Sequence, residues 1–133
     1  MSFFPYIMFR GNCAEAMGFY AEVFGSEPPM LVRYSEAPEG EGIPPSEKVM
    51  HAELSLAGGK LMASDYPEGM PGDEQKAVSV MHQLTDTEAG RRIFERLAEE
   101  GEVLMPFGPT FWSKGFGMVR DRFGTHWMIA AGD

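Results

Sequence analysis

The chain repeats itself, and that limits its folds more than any single motif does. Glu15-Ala16-Met17-Gly18-Phe19-Tyr20-Ala21-Glu22-Val23-Phe24-Gly25 stands in the first half where Glu88-Ala89-Gly90-Arg91-Arg92-Ile93-Phe94-Glu95-Arg96-Leu97 stands in the second. Gly59-Lys60-Leu61-Met62-Ala63 closes one half as Gly124-Thr125-His126-Trp127-Met128-Ile129 closes the other. Each copy reads as one strand, one helix and three more strands. A lone βαβββ unit leaves the sheet face opposite its helix bare, so two units are expected to pair and enclose a cavity. The expected fold is α+β: two βαβββ repeats forming a curved mixed sheet around a cavity. A single domain spans 1–133, with repeat one at 1–66, a linker at 67–75 and repeat two at 76–133.

Local signals place the elements. Phe3 to Arg10 is an aromatic and β-branched run ending at the turn Gly11-Asn12, and reads as a strand. Asn12 with Glu15 has the spacing of a capping box, opening a helix from Cys13 to Phe24 that Gly25 stops. Met30 to Tyr34 reads as a strand, and Ser35 to Pro45, rich in Pro, Gly and charge, as a loop. Val49 to Leu56 alternates strictly, with Met50, Ala52, Leu54 and Leu56 on one face and His51, Glu53 and Ser55 on the other. Gly58-Gly59 turns it into a hairpin with Lys60 to Asp65. In the second half Ala77 to Leu84 reads as a strand and Thr87 to Glu99 as a helix capped by Thr85 or Asp86 and ended by Gly101. Glu102 to Met105, Gly117 to Arg120 and Thr125 to Ala130 complete the set.

Composition excludes several functions. Eleven Lys and Arg against twenty Asp and Glu give a formal charge of −9, which opposes binding to nucleic acid. The lone Cys13 cannot form an intramolecular disulfide, and neither a bilayer-length apolar run nor a secretory leader is present, so the expected location is the cytoplasm with no membrane partner.

Two regions carry candidate chemistry. Phe111 to Met128 concentrates both tryptophans, three of the ten phenylalanines and one of the three histidines. Rings interleaved with single polar groups suit a concave site for a small organic molecule, although a packed strand pair has the same composition. If Met50, Ala52, Leu54 and Leu56 face a helix, His51 and Glu53 share the opposite face. There they can move protons, hold an unconventional metal, or serve as a structural hydrogen-bonded pair. Asp121 reads as a turn residue at the Phe123-Gly124 bend, and Cys13, at a helix start, as packing despite the helix dipole.

The motifs Pro5-Tyr6-Ile7, Gly11-Asn12, Phe19-Tyr20, Val23-Phe24-Gly25, His51-Ala52-Glu53-Leu54, Leu61-Met62-Ala63-Ser64-Asp65, Phe111-Trp112, Asp121-Arg122-Phe123-Gly124 and Trp127-Met128 resemble the vicinal oxygen chelate superfamily of glyoxalases, bleomycin resistance proteins and dioxygenases. Within it they are similar to the PhnB-like branch, often labelled demethylubiquinone-methyltransferase-like. The resemblance implies the glyoxalase/bleomycin resistance fold and a homodimer. It also implies inward-facing His, Gln or Glu on the first and last strands of each repeat, binding one divalent ion. Those strands here offer Tyr6 and Met8, then Met62, Ser64 and Asp65, then Ser79 and Val80, then Trp127 and Met128. Met and Ser are poor ligands for such an ion, so no metal or other cofactor is expected. A one-residue slip admitting His82 or His126 would restore a divalent site. No Gly-rich nucleotide loop follows the first strand, so methyl transfer is not expected. The expected function is small-molecule binding, as a lyase or isomerase with a metal-free site. Its catalytic residues would be His51 and Glu53, and its ligand-binding residues Tyr6, Met8, Phe111, Trp112, Phe116 and Trp127. The alternative is a binding protein that sequesters a drug or metabolite without reaction.

Overall fold

Each half of the sequence forms a four-stranded sheet with one helix. In this computed structural model, which describes residues 2–56 and 58–132, the first half runs β1 (Tyr6–Phe9), α1 (Cys13–Phe24), β2 (Met30–Arg33), a 3-10 turn at Tyr34–Glu36, β3 (Val49–Leu56) and β4 (Gly59–Asp65). The second runs β5 (Ser79–Leu84), α2 (Thr87–Ala98), β6 (Glu102–Gly108), β7 (Gly115–Arg120) and β8 (His126–Ala131). The sheet orders are β1-β4-β3-β2 and β5-β8-β7-β6. In each sheet the unit's first and last strands pair in parallel, and the other neighbours are antiparallel. The result is α+β, two βαβββ units, with the boundary between them at Glu74 and Gln75 in the Gly- and Pro-rich stretch.

In the first unit, α1 buries Cys13, Ala16, Met17 and Tyr20 against β3 and β4, and Gly25, at φ 73°, takes the left-handed conformation that ends it. Its start departs from expectation. Asn12 makes no side-chain cap hydrogen bond. Asp65, the last residue of β4, caps the helix instead. Its Oδ1 accepts the N–H groups of Gly11 (2.8 Å) and Cys13 (3.0 Å), and its Oδ2 accepts that of Val49 (2.9 Å). A buried carboxylate facing three backbone donors and the positive end of a helix is a stronger partner than a surface amide.

The alternation of β3 is also interrupted. Val32 pairs with His51 but Arg33 pairs with Val49, so β3 bulges beside Met50. Val49 is therefore the buried residue at that end, joining Ala52 and Leu54 in the core, while Met50 is half-buried.

In the second unit α2 buries Gly90, Phe94 and Leu97. Asp86, rather than Thr85, caps it, accepting the N–H groups of Glu88 (3.0 Å) and Ala89 (3.1 Å) on Oδ1. A Cβ on Gly117 would come within 2.7 Å of the Phe94 ring and 2.9 Å of the Phe107 Cα, so this glycine permits the close approach of its neighbours. It also shows which side of β7 faces the helix. Gly117 pairs with Ile129 and Val119 with Trp127, so those residues turn toward α2, whereas Phe116, Met118, Met128 and His126 occupy the other face.

Candidate functional site

On the face of the first sheet turned away from α1, four side chains form a continuous polar chain. The antiparallel hairpin of β3 and β4 sets Glu53 opposite Met62, and the parallel pairing of β1 sets Tyr6 on the other side of Met62. Across that row His51 Nδ1 lies 2.8 Å from the Tyr6 hydroxyl, and His51 Nε2 lies 2.9 Å from Glu53 Oε1. Lys60 Nζ holds the second carboxylate oxygen of Glu53 at 3.3 Å and sits 5.7 Å from the Phe4 ring centroid. Hydrogen bonding from His51, then from Lys60, holds the Glu53 carboxyl below its ordinary value.

This electrostatic order favours one tautomer of the neutral ring. An ionised Glu53 can only accept, so Nε2 of His51 carries the proton donated to it. In the neutral imidazole Nδ1 then presents a lone pair, to which the Tyr6 O–H donates. The outermost group is the Tyr6 hydroxyl, on a side chain that is 45% exposed. Met8 shares this face, its Sδ accepting the Ser64 Oγ–H at 3.2 Å.

The second unit brings together three other expected residues. Phe111 and Trp112 meet edge to face at 4.7 Å between centroids, and Trp112 meets Phe116 at 5.6 Å. The β6–β7 loop that carries them is closed by the Thr110 N–H to the Ser113 carbonyl and the Trp112 N–H to Thr110 Oγ1. Phe111 is 97% and Trp112 56% exposed, while Phe116 is buried at the foot of the ladder.

Trp127 does not join them. The expectation that both indoles line one site fails because β8 presents Trp127 to the helix side, where it is buried and its Nε1–H donates to Asp121 Oδ2 at 2.8 Å. Asp121 Oδ1 accepts the N–H groups of Phe123 (2.8 Å) and Thr125 (3.0 Å), closing the β7–β8 turn. Cys13 is fully buried, and desolvation followed by the nearby Asp65 charge pushes its thiol up to about 12, so it offers no thiolate. A cavity of about 350 Å³ opens near the start of α1 beside Arg33, Lys48 and Glu68. Neither Tyr6 nor His51 lines it, and its cations are engaged, Lys48 by Glu68 (3.4 Å) and Arg33 by the Glu47 carbonyl (2.6 Å).

The family's divalent ion can be tested against the donors present. On the faces turned away from the helices, the first and last strands offer Tyr6, Met8, Met62 and Ser64 in one unit and Ser79, Met81, His126 and Met128 in the other. His82 pairs with Ile129 on the helix side, where burial pushes its imidazole pKa down. Among the described residues no three His, Cys, Asp or Glu side chains gather as a metal site requires. Thioethers and hydroxyls do not fit a hard or borderline divalent ion.

Lys60 was not singled out from the sequence, and Asp65 was named only among the residues the fourth strand offers a metal, not as a cap. Lys60 follows from the hairpin register, since Ser55 pairs with it and Glu53 lies diagonally across. Asp65 has no local signal, because its partners lie far away in the chain.

Comparison with known proteins agrees with this architecture. The chain is 33% identical to protein YjdN of Escherichia coli, over 94% of this chain and 91% of that protein. It is similar in structure to protein PA1353 of Pseudomonas aeruginosa, at 36% identity and a TM-score of 0.90, covering 99% of this chain and 98% of that one. The PhnB protein of Bacillus cereus matches at 26% identity and a TM-score of 0.73, covering 99% and 100%. A glyoxalase/bleomycin resistance protein of Albidiferax ferrireducens, at 15% identity and a TM-score of 0.64 over 99% and 100%, shares the fold. The family described as 3-demethylubiquinone-9 3-methyltransferase matches residues 1–130, and the chain belongs to it, in the PhnB-like branch.

Proposed function

We propose that this protein is a small-molecule enzyme of the lyase or isomerase kind, in which Tyr6, backed by His51 and Glu53, transfers a proton to or from its substrate. The observation that carries this reading is the hydrogen-bonded series from the Tyr6 hydroxyl through both nitrogens of His51 to Glu53. In it His51 takes the phenolic proton, Glu53 stabilises the resulting imidazolium, and the Tyr6 oxygen acts on the substrate. Lys60 keeps Glu53 ionised and in place. Methyl transfer, which the family's description names, has less support. The turn after β1, Arg10-Gly11-Asn12, lacks a Gly-rich loop, and Asp65 already accepts the N–H groups of Gly11 and of Cys13 at the helix start.

The test is turnover of small enolisable carbonyl compounds such as acetoin and dihydroxyacetone, followed by proton NMR in deuterated water. Tyr6→Phe and His51→Ala are expected to lower the rate by about 100-fold or more. Wild-type rates in both variants would overturn the assignment.

A second reading has its own observation. The exposed Phe111 and Trp112 pair favours a binder that stacks a flat cationic molecule, drawn by the −9 formal charge. In that case His51→Ala leaves affinity unchanged and Trp112→Ala abolishes it. A cytoplasmic homodimer belongs to both readings, supported by the apolar Val103 and Leu104 exposed on edge strand β6. Light scattering that returns the mass of one chain overturns the dimer.

A further inference from the structure

We propose that the face of the second sheet turned away from α2 is a binding site for a soft monovalent cation of the Cu(I) class, held by the thioethers of Met81, Met128 and Met118 and by Nδ1 of His126. This site is independent of the proton-transfer reading, which rests on the first unit. The register places one methionine on each of four adjacent strands. Met81 of β5 pairs with Met128 of β8, Met128 with Met118 of β7, and Met118 with Met105 of β6. All four lie on the side away from α2, because Gly117, the next residue along β7, faces Phe94. Neighbouring strands are about 4.8 Å apart, and a methionine arm turns about three bonds, so three consecutive thioethers can converge above the central Met128.

An apolar patch would explain the methionines alone. It does not explain His126. This residue stands two positions before Met128 on the same face, and its Nδ1 is buried with no hydrogen-bond partner among the described residues. Buried polar atoms are nearly always satisfied, and an unpaired imidazole nitrogen on the sheet face that carries a row of thioethers has the character of a ligand. Thioether and imidazole donors together select Cu(I) over the divalent ions, so the donor set that does not fit the family's usual metal fits this one. Ser79 and Arg120 are the register partners of His126, and Glu102 is the partner of Arg120, which sets an acid on the far side of that cation. The formal charge of −9 favours cation uptake over the chain as a whole. Cys13, the lone cysteine, is fully buried in the first unit and does not compete.

Anaerobic titration of the full chain with Cu(I) against bicinchoninate is the experiment, with ligation read from X-ray absorption at the copper edge. The expected result is one Cu(I) per chain with sulfur and nitrogen scatterers, and displacement by Ag(I) but not by Zn(II). Met128→Leu conserves volume and is expected to weaken binding by about tenfold or more, as does His126→Gln, with the thermal melt of each variant reporting an intact fold. Met62→Leu on the first sheet and Cys13→Ala leave it unchanged. No uptake from bicinchoninate, equal affinity in Met128→Leu, or loss of binding in Cys13→Ala would each overturn the site.

Discussion

In the first unit the face turned away from α1 carries titratable groups in series, Tyr6, His51, Glu53 and Lys60, whereas in the second the equivalent face carries one methionine per strand and ends in an aromatic ladder. The helix sides differ too. α2 begins on Asp86, immediately before it, but α1 begins on Asp65, whose bond to Cys13 closes 52 residues of chain. A duplicated backbone therefore poses the same problems twice, orphan N–H groups and a bare sheet face, without dictating which residue answers them. One unit specialises in polar chemistry and the other in soft, polarisable surface.

The sharpest way to break that comparison is to remove the two caps. Asp65→Ala strands three backbone donors, two of them bonded inside the protein, and is expected to cost about 3 kcal/mol or more, against about 1 kcal/mol for Asp86→Ala. Urea denaturation measures both, and equal losses would show that the long-range cap is no different from the local one. Next in size, Trp127→Phe leaves Asp121 Oδ2 without its indole donor and is expected to cost about 2 kcal/mol, confirming that this tryptophan belongs to the core. No loss of stability would return it to the list of candidate ligand contacts.

A smaller effect has a defined sign. Cys13 ionises near 9.0 when unfolded and about 12 when folded, so its contribution is complete below pH 9 and is lost as pH rises toward 12. Stability measured at pH 8 and 11 should fall more in the parent than in Cys13→Ala, and a parallel decline in the two would contradict the burial of the thiol. Glu53 works in the opposite sense, because its lowered carboxyl favours folding above the ordinary carboxylate range and loses that contribution as the pH falls through its folded value. Smallest of all, Phe111→Ala should move stability by less than about 0.5 kcal/mol, since that ring is exposed. A larger loss would show that the aromatic ladder is structural.

Much of the scaffold was legible because its signals are local. The end of α1 and the span of β3 follow from residues within a few positions: Gly25 stops the helix, and alternation marks the strand. The pairing of His51 with Glu53 was legible for the same reason, since residues two apart in a strand share a face. What failed was long-range or ambiguous in parity. Asn12 and Glu15 spell a plausible cap, but a carboxylate brought in from β4 outcompetes it. In Trp127-Met128-Ile129 consecutive residues are all apolar, so alternation cannot say which faces the helix, and pairing with β7 decides it. The bulge that exchanges Met50 for Val49 depends on β2, a partner strand invisible in the local pattern.

Asp65 has one more consequence. Its two oxygens tie the turn after β1, the first residue of α1 and the first residue of β3 to a single side chain at the end of β4. Loosening β3 at Val49 takes the backbone donor from Oδ2, and loosening the turn or the helix start removes one of the two donors on Oδ1, so the three segments are coupled through one carboxylate. β3 also carries His51, so the same carboxylate braces the strand that presents the hydrogen-bonded series of Tyr6, His51 and Glu53.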